Sequence, residues 1–241
     1  MNPRQFWAKS NYHLRKQILE ARFALGLGKE LLKTRPGNRI MVYHGIDQTG
    51  RTDLNSRFIS KQRFRQEMEW LAKNAQVISV QDYFAGKSAP EKLTIALTFD
   101  DGYRNNWKYV VPILKEFKLP ATFFISTPLS RGQNYLWPDA LDLTAFSKSG
   151  VWEIEGIKWI KKRGEYLKPA DGKRLKTIAV QGGPDWRKAI EKACGTDFQH
   201  DPALEDYWKM MSEDEILSVS EDSLFEIGAH SVLHDNYATM S

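Results

Sequence analysis

Apolar positions along this chain change period several times, and each change predicts an element. From residue 12 to 34, Leu14, Ile18, Ala21, Leu25 and Leu32 fall roughly on one face with Arg and Lys on the other, which predicts a helix. Pro36-Gly37-Asn38 breaks it. Arg39 to Tyr43 is a strand-like run ending at His44-Gly45, and a polar loop from Asp47 to Asn55 follows. Helical period returns from Ser60 to Lys73, with Phe64, Met68 and Leu71 on one side and Ser60 as a candidate N-cap. Val77 to Val80 reads as a short strand.

Leu93 to Phe99 is an apolar strand. Asn106 to Phe117 is helical, with Trp107, Val110, Val111, Leu114 and Phe117 at spacings of three and four, and Pro112 inside it predicts a kink. Ala121 to Ile125 is a further strand, so the order strand, helix, strand with short joins predicts a parallel sheet or barrel. Residues 129–206 lose this rhythm and read as an insertion with small helices of its own, such as Trp186 to Ala193. Ser212 to Ser220 resumes as a helix with a Ser212/Glu215 capping box, and Phe225 to Ala229 is a strand leading into His230. The expected organisation is a basic helical leader, 1–38, and an α/β domain, 39–241, that carries the insertion.

Composition narrows the classes. The chain has 241 residues, 41% hydrophobic and 27% charged, which suits a globular protein with a sizeable core. Its net charge of +5 is unevenly placed: residues 1–40 hold nine Lys or Arg against Glu20 and Glu30, a local +7, and the rest is −2. No basic stripe crosses the domain, which argues against nucleic acid; the leader suits an acidic membrane surface or an acidic partner. Cys194 is the only cysteine, so no intrachain disulfide can form. There is no 18-residue apolar run and no signal-peptide pattern, so cytoplasmic residence is the expectation.

Two clusters carry chemistry. Asp100-Asp101-Gly102 follows one strand, and His230-Ser231-Val232-Leu233-His234 follows another. In a parallel α/β sheet or barrel the C-terminal strand ends share one rim, so motifs far apart in sequence can meet there. Histidines four apart face the same side if they lie on one helical turn. Asp101 with His230 and His234 makes a three-ligand set for a divalent cation, zinc first, with a position open for water. The remaining carboxylate, Asp100, is placed to act as a base on that water. His44 also ends a strand and is a further candidate for the rim.

Thr98-Phe99-Asp100-Asp101-Gly102 and His230 to His234 resemble the first two motifs of the polysaccharide deacetylase (NodB-homology) family, carbohydrate esterase family 4. The strands Leu119 to Phe124 and Phe225 to Ala229 resemble it too. The resemblance implies an irregular (β/α) barrel and removal of acetyl groups from sugars such as N-acetylglucosamine polymers. It implies Asp101, His230 and His234 as metal ligands, Asp100 as general base and the backbone N–H of Tyr103 as an oxyanion donor. Ser231, between the ligands, is expected to serve structural hydrogen bonding. Trp137, Trp152, Trp159 and Trp186 are expected to pack the insertion rather than to stack on sugar rings.

The resemblance breaks off after His234. The family's later motifs, which hold an Arg that positions the base and a His that protonates the leaving amine, have no counterpart before Ser241, and Asp235 stands where the family usually has Pro. The expectation is therefore a barrel truncated at its C-terminus, with apolar edges uncovered. Two other readings stay open: a metal-dependent hydrolase of a non-sugar amide or imide, and a catalytically incomplete remnant that binds glycan or a partner subunit.

Overall fold

A computed structural model describes residue 18 and residues 36–89, 91–162 and 165–239. The helix predicted over 12–34 falls outside the described residues except for residue 18, and so does the leader's expected contact with a membrane or partner.

The elements in chain order begin with β1 (Gly37–Tyr43), β2 (Ile46–Asp47), β3 (Ile59–Ser60), α1 (Lys61–Asn74), β4 (Gln76–Ile78), α2 (Val80–Phe84) and β5 (Leu93–Phe99). One π-helical turn (Asn106–Val110) leads into α3 (Val111–Phe117), and β6 (Ala121–Ser126) follows. Then come α4 (Trp137–Ser147), β7 (Val151–Ile154), β8 (Ile157–Lys162), β9 (Glu165–Leu167), α5 (Leu175–Gln181) and α6 (Gly183–Cys194). The last two are α7 (Glu213–Ser220) and β10 (Phe225–Ser231).

The main sheet is parallel and runs β1-β5-β6-β10. Strand β5 is its centre. It pairs with β1 over its whole length, and its other edge is shared by β4, at Thr94 to Ala96, and β6, at Thr98 and Phe99. All seven of its residues are buried, as a continuous apolar run in a parallel sheet requires. Among the described residues the sheet is an open arc, with β1 and β10 as edges and Val42 and Ile227 exposed along them.

Local chemistry explains the boundaries. Ser60 Oγ accepts from Arg63 N at 3.2 Å and starts α1, which buries Phe64, Met68 and Leu71. The Ser212/Glu215 capping box starts α7. The strand expected over Val77 to Val80 is shorter, because Ser79 Oγ caps Asp82 N at 3.0 Å and turns the chain into α2. Pro112 does not kink a continuous helix. It occupies the first turn of α3, where its missing N–H costs nothing, and the π-helical turn before it absorbs the irregularity.

The segment between β6 and β10 is more ordered than its sequence suggests. β7, β8 and β9 form an antiparallel sheet. In β7 Trp152 and Ile154 point inward while Val151 and Glu153 point out. Trp137, Trp152 and Trp159 are buried in one core with Leu175 and Ile190, and Trp186 packs against it, edge-on to Trp159. These tryptophans pack the segment. Among the described residues no helix is long and apolar enough to cross a membrane.

Candidate metal centre

An aromatic ladder forms the floor beneath the site. Tyr43, Phe99 and Phe123 stack at 5.3 and 5.0 Å between ring centroids, on the neighbouring strands β1, β5 and β6, and Phe225 on β10 meets Phe123 edge-on at 5.6 Å. Tyr43 and Phe99 are strand-end residues in register. The residues after them, His44 and Asp100, therefore leave the sheet side by side on its C-terminal rim, and Asp100 N donates to Tyr43 O at 2.9 Å.

The backbone turns sharply at the next residue. Asp101 has φ 75° and Gly102 φ 86°, both left-handed. Asp tolerates that region better than most side chains, and glycine adopts it freely. A Cβ at Gly102 would also meet Ile125 at 3.1 Å. The turn drops Asp101 into the interior, where its side chain is fully buried.

On β10 the two histidines do not share a helical turn. His230 belongs to the strand, at a register shift between Ala229 and Ser231, and His234 lies beyond it in a turn with φ 57°. Ser231 shapes that turn: its Oγ accepts from His234 N at 3.1 Å and pairs with Ser126 Oγ at 3.0 Å, which fulfils the structural role expected for it. Trp137 Nε1 donates to His234 O at 3.3 Å. Asp235, the departure from the family pattern, makes an ion pair with Arg187 of α6 at 2.9 Å, which ties the turn after His234 to that helix.

The three side chains converge. One ligand atom from each of Asp101, His230 and His234 lies within 4.8 Å of the others. His234 Nε2 is 3.1 Å and His230 Nε2 3.4 Å from Asp101 Oδ1, yet neither makes a well-angled hydrogen bond. Both Asp101 oxygens are buried without a hydrogen-bond partner among the described residues. A buried carboxylate left unbonded costs several kcal/mol unless a cation satisfies it. One oxygen and two imidazole nitrogens are a donor set that fits a divalent cation, zinc in particular.

The electrostatics agree with that convergence. Burial alone would raise the Asp101 carboxyl, but the imidazoles of His230 and His234 and the Arg57 guanidinium outweigh it and hold it well below the usual carboxylate range. The Asp101 carboxylate raises His230. Burial raises Asp100, against the pull of His230 and His44. Burial lowers His44, against the pull of Asp101. His44 thus feels the charges of Asp101, Arg57, Asp100 and His230 from its place beside Asp100 at the strand ends.

Tyr103 sits opposite Met210 in an antiparallel bridge closed by Arg104 N to Lys209 O and Met211 N to Gly102 O. In that pattern the N–H and C=O of Tyr103 point away from Met210. Its ring is fully buried, and its hydroxyl donates to Asp139 Oδ2 at 2.8 Å.

Asp139 and Arg57 belong to neither sequence motif, yet both lie beside the converging donors. Arg57 Nη1 lies 3.6 Å from Asp101 Oδ2, and its Nη2 lies 3.9 Å from Asp139 Oδ1. Arg57 Nε donates to Asn55 Oδ1 at 3.4 Å, and Asn55 Nδ2 donates to Asp139 Oδ1 at 3.3 Å. The only sequence signal was an Asp on an otherwise apolar first turn, Trp137-Pro138-Asp139-Ala140-Leu141.

Comparison with known proteins places these features in context. The family described as "Polysaccharide deacetylase" matches residues 87–178, which include β5, the acidic pair and α4. A poly-beta-1,6-N-acetyl-D-glucosamine N-deacetylase of Staphylococcus aureus (strain MSSA476) is 28% identical over 109 residues, 43% of this chain and 38% of that protein. Two solved structures resemble the fold: a de-N-acetylase from Aggregatibacter actinomycetemcomitans and IcaB from Ammonifex degensii. The first is 16% identical with a TM-score of 0.40, covering 80% of this chain and 54% of that one. The second is 18% identical with a TM-score of 0.36, covering 86% and 96%.

Proposed function

We propose, from the match to the polysaccharide deacetylase family and the geometry of the rim, that the chain is a member of that family and hydrolyses the N-acetyl groups of a sugar polymer or polymer precursor, using a divalent cation held by Asp101, His230 and His234. The observation that carries the reading is the convergence of those three donors on Asp101 oxygens that are buried and otherwise unbonded.

A cation there, zinc first, supplies Lewis acidity toward the amide carbonyl and acidifies water. The remaining work belongs to the chain. Asp100, half-buried beside Asp101, takes the proton of the attacking water. The carbonyl oxygen gains negative charge as the tetrahedral centre forms, and the Tyr103 N–H, turned away from Met210, donates to it. His44 stands next to Asp100 at the end of β1 and, in its imidazolium form, which the Asp101 and Asp100 charges favour, gives a proton to the leaving amine. This supplies, from the first strand, the proton donor that the family resemblance places after His234. The leaving amine is the 2-amino group of the sugar, and the other product is acetate.

The test is acetate release from N-acetylglucosamine oligomers by the zinc-loaded full chain, with ring opening of a cyclic imide run beside it. Acetate release without imide hydrolysis supports the reading. Imide hydrolysis alone moves the substrate to the non-sugar class, and neither activity with stoichiometric zinc bound makes the chain a binding protein.

A further inference from the structure

Arg57 stands between two buried carboxylates and makes full contact with neither. Its guanidinium is 3.6 Å from Asp101 Oδ2 and 3.9 Å from Asp139 Oδ1, and neither distance is a hydrogen bond. Asp101 is fully buried and Asp139 only 2% exposed, so each is in surroundings where a lone guanidinium would be drawn to full contact. The nearly equal spacing shows a shared cation. The rest of the Asp139 carboxylate is held on purpose-built partners: Tyr103 Oη donates to Oδ2 at 2.8 Å, and Asn55 Nδ2 donates to Oδ1 at 3.3 Å while its own Oδ1 accepts from Arg57 Nε at 3.4 Å. Asn55 thus ties the acid and the guanidinium together.

We propose that Asp139 is a positioning residue for the metal centre: it draws Arg57 off Asp101 Oδ2 and leaves that carboxylate free for the cation. This rests on the metal-centre reading above. Without the Asp139 charge, Arg57 would close on Asp101 and compete with the metal for the same oxygens. The positive charge beside the site would also lose its counter-ion. Both effects lower cation affinity. The assignment gives α4, which lies outside both sequence motifs, a direct part in the site.

The test is calorimetric titration of zinc into the metal-free full chain at pH 8, for wild type, Asp139→Asn, Arg57→Gln and the double variant. Asn is isosteric and keeps an acceptor for Tyr103. Asp139→Asn is expected to weaken zinc about 10-fold, as changes behind a metal ligand do. In the Arg57→Gln background, where there is no guanidinium left to restrain, the same change is expected to alter affinity by less than about twofold. An equal factor in both backgrounds, or no loss in the first, overturns the proposal. If Asp139→Asn fails to fold by circular dichroism, Asn55→Ala, which unties Asp139 from Arg57, takes its place: weaker zinc binding in the wild-type background but not in the Arg57→Gln background supports the proposal, and an equal factor in both overturns it. A wild-type chain that binds no zinc refutes the metal-centre reading and this inference with it. Stoichiometric zinc in wild type with no coupling between Arg57 and Asp139 refutes the inference alone.

Discussion

Asp100 N donates to the carbonyl of Tyr43 at 2.9 Å, so the strand that ends in the acidic pair is bonded to the strand that ends in His44. That bond sets a carboxylate and an imidazole on one rim, flanking the turn that buries Asp101. If His44 is the proton donor, His44→Ala lowers kcat for acetate release by about 10²- to 10⁴-fold, the range for loss of a general acid. Zinc stoichiometry stays at the wild-type value, because His44 is not among the converging donors. Loss of zinc together with activity would make it a ligand instead.

Asp139 makes stability depend on pH. Burial is the main cause that pushes its carboxyl up to about 7; the Asp101 and Asp142 carboxylates add to it, and the Tyr103 hydroxyl and Arg57 guanidinium oppose it. The folded pKa lies above the unfolded one near 3.8, so between those values the folded state holds a proton that the unfolded state has released. Stability from this group is therefore greatest below about pH 4, declines as pH rises toward about 7 and is level above that. Relative to Asp139→Asn, the metal-free wild type loses on the order of 2 kcal/mol between pH 5 and pH 8, read by urea denaturation. A wild-type-to-variant difference that stays constant across that interval contradicts the assignment.

Cys194 at the end of α6 is buried, and burial pushes its thiol up to about 12. The thiolate is the reactive form, so the folded protein should react with a disulfide-exchange reagent at pH 8 far more slowly than the urea-unfolded chain. Equal rates would place the thiol at the surface.

Gly45 gives way to an aromatic ring. A Cβ there would meet the Phe58 ring at 2.1 Å, and Phe58 is locked between Tyr103, edge-on at 5.1 Å, and Tyr207, stacked at 5.5 Å. Gly45→Ala is expected to cost about 1–3 kcal/mol, as overpacking does, with the urea midpoint lowered and the slope unchanged. A neutral result would mean that the ring can move, and with it the loop that carries Arg57.

The parts of this molecule visible in the sequence are those set by local pattern. Strand β5 is a seven-residue apolar run, α1 has its cap and its Phe64, Met68 and Leu71 stripe, and α7 has a capping box, so each can be read from neighbouring residues. The converging set Asp101, His230 and His234 was legible because both motifs follow strands of one parallel sheet. Their backbone geometry was not. The pair His230 and His234 gains its convergence from a strand end and a left-handed turn stabilised by Ser231, and a spacing of four could not distinguish that from a helix. Arg57 and Asp139 were invisible for another reason: they are 82 residues apart in number and meet only through tertiary packing, and neither sits in a recurring motif. The antiparallel sheet β7–β9 was hidden because Val151 and Ile160, on its exposed side, are apolar, which blurred the alternation that Trp152, Ile154 and Trp159 carry.

The measurement that bears most directly on the central claim is zinc content, by mass spectrometry or atomic emission, of the purified wild type beside Asp101→Ala and His230→Ala. The account predicts about one zinc per wild-type chain and a large loss in both variants, since three-ligand sites rarely survive with two. Retention of the wild-type stoichiometry in both variants would contradict it, because the buried oxygens of Asp101 would then be unsatisfied for some reason other than a metal.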